Sequence, residues 1–305
     1  MSVIVENLTK IYGKQHAVDG ISFVANKGEI TGFLGPNGAG KSTTMKIATC
    51  YISPSSGFVK VAGFSITESP IDVKNKVGYL PEHNPLYLDM YVKEYLHFSG
   101  SVQGLKGAKL TKRVNEMIDT VGLTQEYKKK IGALSKGYRQ RVGLAQAMIH
   151  DPEVLILDEP TTGLDPNQII EIRNVIKNLG KEKTVIFSTH IMQEVQALCD
   201  KVVIIDKGKL VADNKVDELK NIFRSHQVLT LEFSSEIDIE FIKQLDTIQS
   251  VTHLGAFSFE IVCGMERDIR ADLFRLASEK GWTLIGMKQE ERSLEKVFSD
   301  LTGKK

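Results

Sequence analysis

The chain has 305 residues, of which 42% are hydrophobic and 25% are charged, and its formal net charge is +1 at pH 7. This composition is typical of a globular protein, and the length favours two domains because a single core rarely exceeds about 250 residues. A net charge this small gives no basic field that would argue for nucleic-acid binding. The lysine run at residues 128–130 is interpreted as a solvated face.

Cysteine and histidine usage indicates a reducing compartment and no metal cluster. Cys50, Cys199 and Cys263 lie far apart, and none of the seven histidines is spaced for a zinc site. The N-terminal residues lack a charged and then apolar signal pattern, and no apolar run reaches the ~18 residues that cross a bilayer. We therefore expect a cytoplasmic protein that meets a membrane only through a partner.

The first part of the chain leads into a glycine-rich loop. Residues 2–8 and 21–25, with a turn at 12–14, predict an antiparallel hairpin. The apolar run at residues 29–34 then precedes GPNGAGKST at residues 35–43, and a helical pattern follows. A strand, such a loop and a helix in this order are typical of a P-loop, whose backbone N–H groups and helix N-terminus surround a phosphate. The alternative is a glycine-rich turn that binds nothing.

The P-loop predicts how a nucleoside triphosphate is held. Lys41 is expected to contact the β- and γ-phosphates, and Ser42 is expected to supply an oxygen to Mg²⁺. The residues expected to contact the nucleotide are Asn37, Gly38, Ala39, Gly40, Lys41, Ser42 and Thr43.

The middle of the chain alternates strands with helices. After a loop at 53–57, short apolar runs predict strands at 58–61 and 77–80, and helical periodicity marks an insert at about residues 85–150. Further strands are predicted at 154–157, 184–187 and 202–205, with helices at 168–179 and 191–199 between them. This alternation predicts an α/β fold with a parallel sheet that is covered on both faces.

The composition changes at about residue 218, which divides the chain into predicted domains at 1–218 and 219–305. The second domain is predicted to be a small α+β, ferredoxin-like domain with the order β-α-β-β-α-β, closed by a helix at 293–301. Dimerisation and regulation are both open as the role of this domain. The predicted elements are residues 228–233, 239–245, 248–253, 257–263, 269–280 and 283–287.

Candidate catalytic residues follow two buried strands. Asp158 and Glu159 end the run at 154–157, where Asp158 is suited to hold Mg²⁺ and Glu159 to deprotonate an attacking water. His190 ends the run at 184–187 and is favoured as a donor to the γ-phosphate. The alternatives are a solvated acidic pair and a structural histidine. The site hypothesis is favoured because ligands bind at the carboxyl ends of strands in such sheets.

Five motifs together resemble the nucleotide-binding subunits of ABC transporters over residues 1–218. Taken alone, residues 134–138 indicate only a capped helix start. Together with the other motifs, they are interpreted as a second anion-binding helix end. Residues 78–82 and 293–298 are similar to those of ABC-2 type export ATPases, and more narrowly to the gliding-motility-associated ATP-binding subunit of Bacteroidetes. The five motifs are the P-loop, residues 134–138, the Asp158-Glu159 strand, residues 162–165 and His190.

The resemblance implies an ATP-binding subunit that pairs around MgATP and powers a separate transmembrane permease from the cytoplasmic face. Ser135 and Gly137 would contact the γ-phosphate held by a second copy or a related ATPase subunit, and Asp165 would lie at the same seam. Tyr12 would stack on adenine, the alternative being an ordinary hairpin tyrosine. Closure on ATP and opening after hydrolysis would drive export, with no nucleic acid involved.

Two positions depart from the family pattern. Glu82 replaces the usual glutamine between core and insert, and a carboxylate donates a hydrogen bond only when protonated. Glu82 is therefore interpreted as a coupling position at the nucleotide site rather than as a metal ligand. Lys136 replaces a glycine, and either adds positive charge near the phosphates or faces solvent.

Tyr87, Tyr91 and Tyr95 follow Glu82 at intervals of four residues. This spacing favours a face packed in the core of the insert, and a further hypothesis is that part of the stretch docks a helix of the permease.

Two other functions are less consistent with the sequence than a transport subunit. A soluble ABC ATPase acting on a ribosome or nucleic acid usually has two fused cores or long coiled-coil arms, whereas this chain has one P-loop and no sustained heptads. A regulator with an inactive site is disfavoured because Lys41, Asp158, Glu159 and His190 are all present.

Overall fold

A computed structural model describes residues 2–219, 226–245, 247–264 and 268–290 of the chain. Contacts between Cα atoms divide the chain after Val216 into two compact units. The helix expected at residues 293–301 lies outside the described residues. Within the described part, no helix combines the length and the apolar character that a bilayer crossing requires.

The strands of the first unit form an antiparallel sheet and a mixed sheet. The antiparallel sheet has the order β2-β1-β4-β5, and the mixed sheet has the order β10-β9-β3-β8-β7-β6. These strands are β1 (Val3–Tyr12), β2 (Gln15–Ala25), β3 (Ile30–Leu34), β4 (Ser56–Val61), β5 (Phe64–Ser65), β6 (Val77–Leu80), β7 (Val154–Asp158), β8 (Thr184–Thr189), β9 (Lys201–Asp206) and β10 (Lys209–Lys215).

The predicted fold class is confirmed for this unit. The N-terminal hairpin forms as expected, and alternation along β1 buries Val3 and Val5. A register shift between Val5 and Leu8 brings Leu8 into the same core. Every residue of β3, β7 and β8 is buried, which is why these strands read as continuous apolar runs. The edge strand β10, which the sequence did not predict, pairs antiparallel with β9.

Helices cover the mixed sheet and form the predicted insert, which contains α3 to α5. The helix after the P-loop begins at Lys41, earlier than the pattern at residues 44–48 indicated, and α2 was not predicted. The helices are α1 (Lys41–Ala48), α2 (Pro70–Lys76), α3 (Val92–Val102), α4 (Gly107–Thr120), α5 (Lys136–Met148), α6 (Pro166–Gly180) and α7 (Met192–Leu198).

The expectation that three tyrosines share a face in the core of the insert is wrong. Tyr95 is buried on α3, but Tyr87 and Tyr91 are 55% and 48% exposed. The reason is that α3 begins only at Val92, so Tyr91 is its N-cap and Tyr87 lies in the preceding loop. A helical spacing has no common face where the backbone is not helical.

The second unit has the predicted ferredoxin-like order. Its strands form an antiparallel sheet in the order β12-β13-β11-β14, and its core includes Leu229, Leu231, Phe259 and Ile261. The elements are β11 (His226–Phe233), α8 (Glu240–Lys243), β12 (Ile248–Gly255), β13 (Ser258–Gly264), α9 (Arg270–Glu279) and β14 (Leu284–Glu290).

The order β3-β8-β7 brings the candidate residues to one edge of the mixed sheet. These strands are parallel, with Leu34 opposite Thr189 and Asp158 opposite Ser188. Their carboxyl ends therefore meet, and the segments that follow them surround one cleft.

Candidate nucleotide-binding site

A cleft of about 540 Å³ opens at the carboxyl ends of β3, β7 and β8. Of the predicted P-loop contacts only Ala39 does not line it, because its methyl group is buried and its backbone N–H donates to Pro36 O. The lining residues are Tyr12, Gln15, Ala17, Asn37, Gly38, Gly40, Lys41, Ser42, Thr43, Glu82, Glu159, Thr162 and His190.

The P-loop backbone depends on glycine at two places. Gly40, the N-cap of α1, has φ of 108°, and a Cβ there would lie 2.4 Å from Ala17 O. Gly35 lies against β9, where a Cβ would approach Ile205 O to 2.4 Å. Any larger residue would push the loop away from the sheet, so the curled loop over the start of α1 requires these glycines. This cradle fits a phosphate group.

Lys41 is buried at the floor of the cleft. Its Nζ donates hydrogen bonds to Gly35 O at 2.7 Å and Pro36 O at 3.3 Å, and it lies 3.3 Å from Glu159 Oε1. The loop carbonyls thus hold the ammonium group beneath the P-loop, where an anion in the cradle would meet it.

Asp158 lies at the end of β7 between two hydroxyl groups. Its Oδ1 accepts from Ser188 Oγ at 2.5 Å and from Ser42 Oγ at 3.1 Å. Carboxylate and hydroxyl oxygens suit Mg²⁺, which protein sites commonly hold with one or two such ligands plus substrate phosphates. The described residues contain no cluster of three or more His, Cys, Asp or Glu side chains placed to hold a metal.

Glu159 occupies a left-handed backbone conformation, with φ of 50°. This conformation is uncommon outside glycine and often marks a functional site. Glu159 N donates to Ser188 Oγ at 2.9 Å, and Oε2 accepts from Thr162 Oγ1 at 3.1 Å. Oε2 also lies 2.9 Å from His190 Nδ1. Oε1 is buried beside the Lys41 ammonium group and has no hydrogen-bond partner among the described groups.

Glu82 lines the same cleft. Tyr79 lies nearby in the sequence, on β6, the strand next to β7. Burial, followed by the charges of Asp158 and other neighbours, raises the pKa of the Tyr79 hydroxyl. The hydroxyl therefore stays neutral, and it has no hydrogen-bond partner among the described residues. Tyr79 itself does not line the cleft.

Ser135, Gly137 and Asp165 lie outside the cleft. Ser135 caps α5 by accepting from Tyr138 N at 3.4 Å, and Asp165 caps α6 by accepting from Gln168 N at 2.9 Å. Gly137 meets Gln168, whose amide would lie 2.5 Å from a Cβ at that position. The starts of α5 and α6 are therefore neighbours, away from the P-loop of the same chain.

Four residues of the site were missed by sequence reasoning. Ser188 and Thr162 lie inside motifs that were recognised, but nothing distinguished their hydroxyl groups from ordinary ones. Gln15 and Ala17 lie at the start of β2, where a hairpin pattern gives no sign of a ligand.

Comparison with known proteins assigns the family. The profile of the ABC transporter family matches residues 18–162. The chain is 35% identical over 303 residues to the linearmycin resistance ATP-binding protein LnrL of Bacillus subtilis (strain 168), with 98% of this chain and 97% of the relative covered. The chain belongs to the ATP-binding proteins of ABC transporters.

Two further likenesses agree with this family. The bacitracin transport ATP-binding protein BcrA of Bacillus licheniformis is 34% identical over 317 residues, with 99% of this chain and 98% of the relative covered. A dimeric post-hydrolysis structure of the ATP-binding cassette MJ0796, bound to ADP and Pi, has a TM-score of 0.65 at 24% identity. It covers 70% of this chain and 98% of that one, and shows the shared fold. This ABC protein is an ATPase subunit, with relatives in resistance and transport systems.

Proposed function

We propose that Glu159 is the general base and His190 a γ-phosphate donor for ATP hydrolysis in the cleft. The observation that carries this proposal is the contact of Glu159 with both Lys41 and His190 at the carboxyl edge of the sheet. Glu159 Oε1 can accept the proton of an attacking water. His190 Nδ1 is engaged by Glu159, which leaves Nε2 available to a phosphate oxygen.

The remaining residues of the cleft bind and orient the nucleotide. Lys41 and the P-loop amides would hold the phosphates, and Ser42 and Asp158 would hold Mg²⁺. The cation, when bound, neutralises charge on the phosphate oxygens. Tyr12 would stack on adenine, since its ring is half exposed at the rim of the cleft and Lys10 Nζ lies 5.1 Å from the ring centroid.

The second part of the proposal is an ATP sandwich made by two copies of the chain or by one copy and a related subunit. Ser135, Gly137 and Asp165 are held together by α5 and α6 but do not reach their own P-loop. A second copy, placed head to tail, would bring this surface to the γ-phosphate. The dimeric cassette of the same fold supports this arrangement. The two subunits would close on ATP and separate after hydrolysis, and this motion would drive the membrane partner.

The third part concerns the membrane partner. The names of the relatives point to resistance and transport, which supports export through a separate permease and a peripheral position on the cytoplasmic face. The docking surface is proposed at the exposed aromatic side of the insert, where Tyr87 packs edge-on against Tyr95 and tilted against Phe98. A cavity of about 260 Å³ lies beside these rings and could receive an apolar side chain of a permease helix.

An association with gliding motility is a narrower proposal that rests on sequence resemblance. Deleting the gene in its native host and measuring colony spreading tests it, since unchanged spreading would remove it. Action on ribosomes or nucleic acid is disfavoured by the transport and resistance functions named for the relatives.

The central test combines hydrolysis with assembly. The purified chain should release phosphate from MgATP, and the non-hydrolysing Glu159→Gln variant should elute as a dimer with ATP and as a monomer without it. Light scattering after size exclusion measures the mass. A variant that retains ATP but stays monomeric at saturating MgATP would contradict the sandwich of two copies and leave only the pairing with a related subunit, with the hydrolytic site in place.

A further inference from the structure

His190 lies in a turn whose backbone is fixed on both sides by one hydroxyl group. Thr189 Oγ1 accepts a hydrogen bond from the backbone N–H of Ile191 at 3.0 Å, which ties the residue before His190 to the residue after it. The His190 side chain is 42% exposed, so packing does not confine its ring. The position of the ring beside Glu159 therefore depends on the backbone of this turn.

A fully buried carboxylate holds that hydroxyl group. Thr189 Oγ1 donates to Glu194 Oε2 at 2.6 Å, and Glu194 has no exposed surface. A hydroxyl group has a single proton, so donation to Glu194 fixes its rotation and directs a lone pair to the N–H of Ile191. The three groups thus form one relay, from Ile191 N–H through Thr189 to Glu194.

The carboxylate has a cationic partner on another helix. Arg173 Nη2 on α6 lies 3.6 Å from Glu194 Oε1. Neither Glu194 Oε1 nor Arg173 Nε has a hydrogen-bond partner among the described residues. The Arg173 side chain is 24% exposed, and an ion pair between a partly exposed arginine and a buried carboxylate with unsatisfied atoms gives little net stability compared with packed apolar side chains. Its presence next to His190 therefore points to a role other than stability.

We propose that Glu194 is a positioning residue for His190. It does not line the cleft, and it acts through Thr189 by fixing the turn from which His190 reaches Glu159. Arg173 faces the buried carboxylate and links the turn to α6, the helix that Asp165 caps. This inference rests on the proposed function of His190 in hydrolysis, which the experiment below tests separately.

The test compares steady-state phosphate release by the full chain and its variants. Thr189→Val keeps the shape of the side chain but removes the hydroxyl group, whereas Thr189→Ser keeps it. We expect Thr189→Val and Glu194→Gln to lower kcat about tenfold or more with little change in KM for ATP, because binding groups stay in place while the ring of His190 shifts. Thr189→Ser should restore kcat. Gln193→Ala, an exposed change on the same turn of α7, should leave kcat unchanged.

A mutant cycle with His190→Ala distinguishes positioning from a general structural effect. Once the imidazole is absent, Thr189→Val should reduce kcat no further. Losses that multiply in the double variant, or an unchanged kcat in both Thr189→Val and Glu194→Gln, would overturn the positioning role. An unchanged kcat in His190→Ala alone would instead remove the proposed function of His190. Melting temperatures identify a variant that fails to fold. If either Thr189→Val or Glu194→Gln is unfolded, the kcat of the other variant decides the question by the same criteria.

Discussion

Lys41 Nζ lies 3.3 Å from Glu159 Oε1, and the two side chains are only 5% and 8% exposed. The proposed phosphate-binding cation is therefore paired with the proposed general base in this structure. A triphosphate would compete with Glu159 for the ammonium group. Binding the nucleotide would thereby free a carboxylate oxygen to accept a proton from water.

Replacing Lys41 with alanine should remove nucleotide binding. The variant loses the only cationic side chain among the residues that the structure places around the cleft, apart from His190 when it is protonated. We expect phosphate release to fall about 100-fold or more, the effect of removing one well-placed electrostatic donor. Titration calorimetry with ATP and a phosphate assay measure this. Lys46→Ala, on the same helix but outside the cleft, is the control. Retained ATP binding in Lys41→Ala would contradict the assigned role.

Glu159→Gln should separate binding from hydrolysis. The amide keeps the shape of the side chain but cannot take a proton, so we expect hydrolysis to fall about 100-fold or more. ATP affinity should rise, because Lys41 no longer faces a competing negative charge. Equilibrium binding of labelled ATP measures the affinity. Glu153→Gln, next to the start of β7 and outside the cleft, should match the unmodified protein. Normal turnover in Glu159→Gln would assign the base to another group.

Ser188→Ala tests the hydroxyl group between Asp158 and Glu159. The change removes the 2.5 Å bond to Asp158 and one of the two Ser188 acceptors for Glu159 N, which keeps the backbone carbonyl at 3.2 Å, so both acids lose a positioning contact. We expect the Mg²⁺ concentration for half-maximal activity to rise about tenfold, the usual scale for such supporting groups. Phosphate release over a Mg²⁺ series measures it.

The matched control for Ser188→Ala lies at the other end of the same strand. The hydroxyl group of Thr184 is buried and has no hydrogen-bond partner among the described residues. Thr184→Val therefore removes a hydroxyl group from β8 without breaking a bond, and its Mg²⁺ dependence should stay unchanged. An equal shift in both variants would show that strand packing, and not the Ser188 contacts, sets the Mg²⁺ requirement.

Tyr87→Ser should weaken assembly with a membrane partner without unfolding the chain. Tyr87 is 55% exposed, so its loss removes ring contacts with Tyr95 and Phe98 at the surface and leaves the core intact. Tyr91→Ser should also weaken assembly, because Tyr91 is 48% exposed in the same stretch of the chain. It should leave α3 folded, because serine is a good N-cap. Co-purification of membrane proteins from native membranes measures assembly. Tyr51→Ser, a 74% exposed tyrosine outside the insert, is the control. Unchanged recovery with both variants would place the docking surface elsewhere.

Sequence reasoning succeeded where a structure is specified by a short stretch of chain. Strands buried on both faces appear as apolar runs, and β3, β7 and β8 were recognised for that reason. It failed where a periodic pattern crossed a helix start, as with Tyr87 and Tyr91, because the spacing of residues does not show where the backbone becomes helical. The edge strand β10 was missed because it has no apolar run.

By itself, the sequence determined the glycine-rich loop, the acids at the end of β7 and the histidine after β8, because local backbone geometry and strand burial are encoded by neighbouring residues. Only the tertiary structure decided that β8 lies between β3 and β7, and hence that Ser188 bridges the acids. The same holds for the pairing of Lys41 with Glu159 and for the burial of Glu194 beneath Thr189. Such contacts join residues through the packing of strands and helices, which no single stretch of sequence specifies.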